Sequence, residues 1–220
     1  MKKFVLAALA STIAASPAPA AINWADLTSS STTGGVTTVQ GNIGSTNVTF
    51  TGTGVGFVQT SGGTDFWNTA AYSAWDSTVN APPNSDLIAL SGAGTKTITF
   101  SSAVSNAYIA LASWQNQSFS STSAFSFVGL VNGCGYWGCG TPTAVTANSF
   151  SSPGELHGVI QFAGPLSSIT FTDTNDEFWH GIQIGAGAVP EPAGWALMIG
   201  GFAFAGFAAR RRRRPLAVTA

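Results

Sequence analysis

The chain has 220 residues, enough for one domain with a substantial core together with short processing segments. Charged residues make up only 8% of it, against about 25% in ordinary soluble proteins. Residues 21–189 contain eight acidic residues and one basic residue, Lys96, so this middle region carries a net charge of −7. A region with a single lysine cannot neutralise many phosphate groups, which argues against nucleic-acid binding.

The first 20 residues have the features of a secretory signal peptide. Lys2 and Lys3 precede an apolar run over residues 4–15, and Ala18 and Ala20 supply small residues in an A-x-A arrangement. This pattern predicts cleavage by signal peptidase after Ala20. The alternative is an uncleaved anchor helix, but the apolar run is short for a membrane span.

The region after the signal peptide alternates between apolar and polar residues with a period of two, as strands do. Residues 21–35 are rich in serine, threonine and glycine and predict a flexible entry segment, so we expect the domain to cover residues 36–185. Many short strands with glycine- and proline-containing turns predict an all-β, antiparallel single domain of the β-sandwich or jelly-roll type. The strand candidates are residues 48–50, 87–90, 97–100, 106–114, 124–130, 156–163, 168–171 and 181–184.

The two cysteines of the chain, Cys134 and Cys139, enclose Tyr136 and Trp137. In an exported chain a single pair of cysteines predicts a disulfide, here closing a short loop. The aromatic residues in that loop fit a platform for a sugar ring, or a stapled loop tip packed on the sheet. The second interpretation is favoured, and two cysteines do not suffice for a structural zinc site.

The acidic segment 173–177 follows one strand candidate and precedes another. Asp173, Asn175 and Glu177 present oxygen atoms at alternate positions, as a calcium loop does, but Phe178 stands where an EF-hand requires glycine. The alternative is an acidic hairpin turn. Calcium is the only cofactor for which the sequence offers a candidate site.

The sequence contains no recognisable catalytic motif. His157 and His180 lie in strand-like stretches without a second histidine at ligand spacing, and each is interpreted as a histidine satisfied within a strand. Neither a G-x-S-x-G nor an H-E-x-x-H pattern is present. Paired carboxylates of a secreted hydrolase form only in space, so that alternative stays open at this stage.

Three elements follow one another at the C-terminal end. Residues 186–192 form a linker that ends in Pro190, Glu191 and Pro192, and residues 193–209 are uncharged. At ~1.5 Å per residue, a helix over residues 193–209 is ~25 Å long, close to the lower limit for a membrane span. Trp195 lies at its outer end, and the basic tail 210–220 stops translocation, so the β domain faces outward. The tail begins with Arg210, Arg211, Arg212, Arg213 and Arg214.

Together, the Pro-Glu-Pro, the Gly194-Trp195-Ala196 step, the glycine-rich apolar stretch and the arginine block resemble the PEP-CTERM sorting signal of Gram-negative bacteria. The resemblance covers residues 190–214 and implies processing by exosortase, a membrane-embedded, transpeptidase-like enzyme. It further implies an inner-membrane intermediate that loses its helix and passes to the cell surface or the exopolysaccharide matrix. The same kind of segment is also catalogued as the C-terminal domain of ice-binding proteins, which is no evidence of ice binding. The simpler alternative for the Pro-Glu-Pro is punctuation at a helix start.

The sequence therefore predicts an exported, non-catalytic surface or matrix protein whose partners are signal peptidase, exosortase, the membrane and exopolysaccharide. A carbohydrate-binding module assisted by calcium is the alternative from another class of function. A secreted hydrolase is the third and weakest interpretation.

Overall fold

The computed structural model describes residues 21–67, 79–130, 137–187, 199, 201–203 and 205–206. Within these ranges the domain is all-β and its strand pairs are antiparallel. The strands are β1 (Ile22–Trp24), β2 (Asp26–Thr33), β3 (Val36–Ile43), β4 (Thr46–Gly52), β5 (Val55–Thr60), β6 (Asp86–Leu90), β7 (Gly94–Trp114), β8 (Gln117–Ser121), β9 (Phe125–Leu130), β10 (Ser149–Ser152), β11 (Leu156–Asp173) and β12 (His180–Gly187).

Two long strands, β7 and β11, pair with each other and run through both halves of the sheet. Their first and last portions belong to different halves because each strand bends near its middle. Asn106 adopts a φ of 55° in β7, and Gly164 a φ of 90° beside a register shift in β11. The sheet consequently folds over on itself and nearly closes.

The front half-sheet consists of β2, β3, β4, the first part of β7, the second part of β11, β8 and β10. The back half-sheet consists of β5, β6, β12, the second part of β7, the first part of β11 and β9, with β1 beside β12. The main hydrophobic core lies between them, because alternate residues of each strand point inward. Ile88 and Leu90 of β6 belong to this core.

The outer face of the back half-sheet is also buried. Leu87 and Ala89, the alternate residues of β6, pack here with Trp67 from the segment that joins β5 to β6. The Nε1 of Trp67 donates a hydrogen bond to the carbonyl of Asp86 at 2.8 Å. A connecting segment therefore serves as a partial third layer over this half-sheet.

Strands β1 and β12 lie side by side, with Ile22 opposite Gly187. The side chain of Asn80 holds the edge of β1, accepting from the Ile22 amide at 2.7 Å and donating to the Ile22 carbonyl at 2.9 Å. We call the end of the domain around Ile22 and Gly187 the terminal end. The opposite end, formed by residues 91–93, 115–116 and 174–179, is called the loop end. An eight-residue strand such as β12 separates the two by about 23 Å.

The prediction that residues 21–35 form a flexible entry segment is wrong. These residues contain β1 and β2, and β2 pairs with β3 from Asp26 to Thr33. Of the β2 side chains only Leu27 is buried, so the apolar alternation that marks a strand is missing from it. The domain accordingly begins at Ile22, before the predicted boundary at residue 36.

All eight strand candidates lie in strands, although two pairs of them merge. Residues 97–100 and 106–114 are both parts of β7, and residues 156–163 and 168–171 are both parts of β11. The candidate over residues 124–130 corresponds to β9, which begins one residue later. The all-β, antiparallel class is confirmed.

The two predicted targeting segments fall mostly outside the described residues. Residues 1–20 lie outside them, and so do Pro190, Glu191, Pro192, Trp195 and the arginine block. Within the predicted membrane segment, residues 199, 201–203 and 205–206 are helical. In the part of the chain that the structure describes, no helix has the length and apolar character needed to cross a membrane.

Candidate functional site: the loop end and its buried charges

A cluster of four ionisable side chains lies inside the domain, under the loop end. Lys96 and Asp173 are fully buried and form an ion pair. The Nζ of Lys96 also donates to the carbonyls of Gly92 at 2.7 Å and Gly94 at 3.3 Å. The lysine ammonium is thus surrounded by a carboxylate and two carbonyl oxygens, which supply the hydrogen bonds that a buried charge requires.

The register of β7 and β11 brings this pair together. Asp173 is opposite Gly94 and Phe171 is opposite Lys96, so Lys96 and Asp173 are diagonal neighbours on the inward face. They belong to the same face as Ile98 and Ile169, which are core residues. The pair therefore occupies the last inward positions of the front half-sheet at the loop end.

His180 joins the cluster from the first position of β12. Its Nε2 lies 3.0 Å from Oδ2 of Asp173, and its Nδ1 contacts Oε1 of Glu177, close enough for an ion pair but outside hydrogen-bond alignment. The ring of Trp114 packs against it with centroids 4.4 Å apart. Burial lowers the pKa of His180, but the interactions with Asp173 and Glu177 outweigh this effect and the pKa is raised.

Protonation of His180 balances the cluster. Lys96 and His180 then supply two positive charges, and Asp173 and Glu177 two negative ones. Burial lowers the pKa of Lys96, an effect that its interactions with Asp173 oppose. With a neutral His180 the buried cluster would instead carry one uncompensated negative charge.

The loop over this cluster, residues 174–179, forms hydrogen bonds to the rest of the domain at four successive residues. Thr174 Oγ1 accepts from the Ser118 amide at 3.2 Å, and Asn175 exchanges two hydrogen bonds with the side chain of Gln117, at 2.8 and 3.2 Å. Oδ1 of Asp176 accepts from the Ala93 amide at 2.8 Å. The Glu177 amide donates to the carbonyl of Ser91 at 3.2 Å. Phe178 follows this anchored stretch and is 94% exposed.

The predicted calcium ligands are brought into one loop, but their groups have protein partners. Both carboxylate oxygens of Asp173 are engaged by Lys96 and His180, and the Nδ2 of Asn175 donates to the Asn116 carbonyl. Glu177 contacts His180. No group of three histidine, cysteine, aspartate or glutamate side chains within the described ranges is arranged to hold a metal ion. The calcium site stays an untested prediction.

The segment 174–179 is not the acidic hairpin turn that was the alternative interpretation. Strands β11 and β12 do not pair with each other, because the last part of β11 lies in the front half-sheet and β12 in the back one. The loop instead crosses from one half-sheet to the other over the core. This crossing brings His180 to the Asp173 carboxylate, which then lies between Lys96 and His180.

His157 has different surroundings from His180. It lies in β11, opposite an irregularity of β7 at which Ser113 adopts a φ of 57°. Its Nδ1 accepts from the Ser113 amide at 3.4 Å, whereas its buried Nε2 has no hydrogen-bond partner among the described residues. Burial lowers the pKa of His157 to about 4. The expectation of a satisfied histidine is therefore wrong at this position.

An aromatic cluster lies on the outer face of the back half-sheet. The rings of Phe66 and Trp179 have centroids 5.4 Å apart, and those of Trp137 and Trp179 are 5.3 Å apart and nearly perpendicular. The Nε1 of Trp137 donates to the Phe66 carbonyl at 3.1 Å. Phe57 completes the cluster and is 41% exposed. Edge-to-face contacts of this kind are those of packed rings, so Trp137 is packed against its neighbours.

The cysteine loop is described only in part. Cys139 is disulfide-bonded. Cys134, the other cysteine of the chain, and Tyr136 lie outside the described residues. Of the two aromatic residues in the predicted sugar platform, the structure therefore describes Trp137 and not Tyr136.

An open pocket of about 600 Å³ lies at the terminal end. Its walls include Trp24 of β1 and the prolines of the segment before β6, Pro82 and Pro83. The Nε1 of Trp24 donates to the Asn80 carbonyl at 3.2 Å, which fixes the ring. Sequence analysis singled out none of these residues.

The chain shows no significant similarity to a known protein family, a curated protein or a solved structure.

Lys96 is the central residue that sequence reasoning missed. The sequence does mark Lys96 as the one basic residue of an acidic region, where a single lysine adds little to solubility. Its partner Asp173 was noted, but as a calcium ligand. The two residues are 77 positions apart, and only the bend and register of β7 and β11 bring them together.

Proposed function

We propose that this chain is an exported, non-catalytic protein of the cell surface or extracellular matrix, delivered by a PEP-CTERM signal that exosortase processes. The observation that carries the proposal is the ordered C-terminal pattern of Pro190-Glu191-Pro192, an uncharged stretch and five arginines. The destination is the surface of a Gram-negative bacterium or its exopolysaccharide, after an inner-membrane intermediate.

The positions of the first and last described strands support this proposal. Strand β1 begins at Ile22, two residues after the predicted cleavage site, and β12 ends at Gly187, three residues before Pro190. Because Ile22 and Gly187 are opposite each other, both processing segments would leave the domain at its terminal end. One end of the domain would then face the membrane during both cleavages.

The disulfide of Cys139 is a second supporting feature. Disulfides persist in oxidising compartments such as the periplasm and the cell exterior, and are rare in the cytosol. The finer fold assignment, an antiparallel sandwich of the jelly-roll type, is part of the same proposal. The bent β7–β11 ribbon and the core between two half-sheets support it.

Intact-mass analysis tests the sorting step. The protein released from cells with active exosortase is expected to lack the segment after the Pro-Glu-Pro, and the protein from cells without the enzyme to retain it. A Pro190→Ala/Glu191→Gln/Pro192→Ala variant should retain the segment in both backgrounds. A Pro215→Ala variant, altered beyond the arginines, is the matched control and should be processed normally. Retention of the helix in wild-type cells with active enzyme would replace this proposal with a permanent anchor.

Carbohydrate binding is a second candidate function, and the charge of the domain surface restricts it to uncharged glycans. Among the described residues Lys96 is the one lysine or arginine, and Lys96, His157 and His180 are all buried. A surface without cations does not attract polyanions. Calorimetry against the organism's own exopolysaccharide, with and without a chelator, tests both binding and the calcium-assisted version of it.

A further inference from the structure

We propose that the loop of residues 174–179 is a contact site for uncharged polysaccharide, in which the ring of Phe178 stacks on a sugar face. The proposal deepens the surface function above, since it relies on that function for delivery of the domain to a polysaccharide. The binding itself is a property of the domain and is measured separately from sorting.

The loop is anchored by hydrogen bonds up to Glu177, whereas the side chain of the next residue, Phe178, is exposed. Phe178 is 94% exposed, whereas the other exposed large hydrophobic residues of the described strands and loops reach at most 53%, at Val145. Hydrogen bonds to Gln117, Ser118, Ala93 and Ser91 hold the four residues before it. Because the loop is already anchored, its backbone loses little conformational entropy when the ring binds.

The buried cluster contributes to this rigidity from beneath. Asp173 and His180, which flank the loop, bind each other, and Asp173 also binds Lys96. The two ends of the loop are therefore fixed by charged groups that solvent does not screen. The anchored loop positions Phe178, whose side chain takes no part in these hydrogen bonds and ion pairs.

Charge decides the class of partner. The described surface carries no basic side chain, so anionic glycans, nucleic acids and anionic lipids are repelled. The proposed function brings the domain to polysaccharide, and an anionic polysaccharide is repelled by the net charge of −7 on residues 21–189. Among polysaccharides, an uncharged one therefore fits this surface.

Uncharged sugars match the exposed groups of the loop. Aromatic side chains contact the apolar face of a ring, while hydroxyl and amide groups bind hydroxyls at its edge. Thr174, Asn175 and Asn116 are exposed near Phe178 in the chain or at the same end of the domain. The loop end also lies at the opposite end of β12 from Gly187, so it would point away from the membrane.

Affinity electrophoresis of the full chain in detergent micelles tests the proposal, with the neutral polysaccharides dextran, laminarin and galactomannan and the anionic polysaccharide alginate as probes. We expect binding to at least one neutral probe. Alginate can be attracted only by the basic ends of the chain, so its effect should be the same in the wild type and in the Phe178→Ala variant. A Phe178→Ala variant should weaken the binding of the neutral probe at least fivefold, and Phe178→Trp should retain it. Val145→Ala, at another exposed apolar residue, is the matched control and should bind as the wild type does.

The outcomes separate the binding site from the sorting route. Equal binding of a neutral probe by the wild type and the Phe178→Ala variant overturns the site, and so does binding to none of the neutral probes. Because Phe178 is exposed, its replacement should leave the thermal unfolding of the domain unchanged, which shows that a loss of binding is local. Failure of exosortase processing would contradict the proposed route and leave this result intact.

Discussion

The two histidines of this domain are both buried, yet their surroundings have opposite electrostatic effects. His180 lies between two carboxylates, and its pKa is raised because these favour the imidazolium form. His157 meets the Ser113 amide at Nδ1 and no partner at Nε2, and burial lowers its pKa to about 4. The difference shows that burial alone does not determine the charge of a histidine. The neighbouring groups do.

The largest expected effect comes from removing Lys96, the cation that pairs with Asp173 beside His180. Lys96→Met leaves Asp173 buried with only His180 as a charged partner, and we expect the free energy of unfolding to fall by about 3–5 kcal/mol. Urea denaturation at neutral pH measures it. A Lys96→Met/Asp173→Leu variant is the control and should lose less than the single variant, since both members of the pair are then apolar. A loss below about 1 kcal/mol for Lys96→Met would show that the cluster does not depend on this charge.

The next effect concerns the unpaired histidine at acid pH. Because the pKa of His157 is about 4 in the folded protein and 6.5 as an unperturbed group, the unfolded state takes up its proton first as the pH falls. The stability of the domain should therefore decrease between pH 6.5 and pH 4, by about 3 kcal/mol from this residue. His157→Gln does not titrate, so its stability relative to the wild type should rise over that interval. Parallel curves for the two proteins in unfolding experiments would contradict the assignment.

The smallest effect has the opposite sign and belongs to His180. Its raised pKa contributes stability that is fully present below pH 6.5 and is lost as the pH rises through the folded-state pKa. Thermal unfolding of the wild type should show this alkaline decrease, and His180→Gln should lack it. Glu177→Gln removes one of the two carboxylates that raise the pKa of His180, so the decrease should end at a lower pH and be smaller than in the wild type. An unchanged alkaline profile in both variants would mean that His180 does not bind a proton in the folded state.

The central strands of the front half-sheet were predictable because their two faces differ. Residues 97–100 and 168–171 alternate polar side chains with apolar ones that the structure buries. Strand β2 was missed because it is exposed except at Leu27, so its serine and threonine residues give no alternation. A strand at the edge of a sheet is specified by pairing with its neighbour, here β3, and pairing is not visible in a local pattern.

The buried cluster was beyond sequence reasoning for a related physical reason. Asp173 and Glu177 were interpreted as possible calcium ligands, and in the structure both contact nitrogen groups, those of Lys96 and His180. Which cationic side chain lies beside a given carboxylate depends on the register between strands that are far apart in the sequence. The continuity of β7 through its bend was likewise missed, since residues 101–105 include three serines and resemble a turn. The same applies to β11, in which Gly164 and Pro165 mark the bend.

The pairing of β1 with β12 has a mechanical consequence for a protein under tension. A pull that separates Ile22 from Gly187 would open their hydrogen bonds one after another, as a zipper opens, because the two strands are antiparallel and end together. A pull between the loop end and Gly187 would run along β12, and its hydrogen bonds to β7 would resist together in shear. The domain should therefore yield easily when it is stretched between its own termini. It should hold firmly when the load enters at Phe178 and leaves through the segment that follows Gly187.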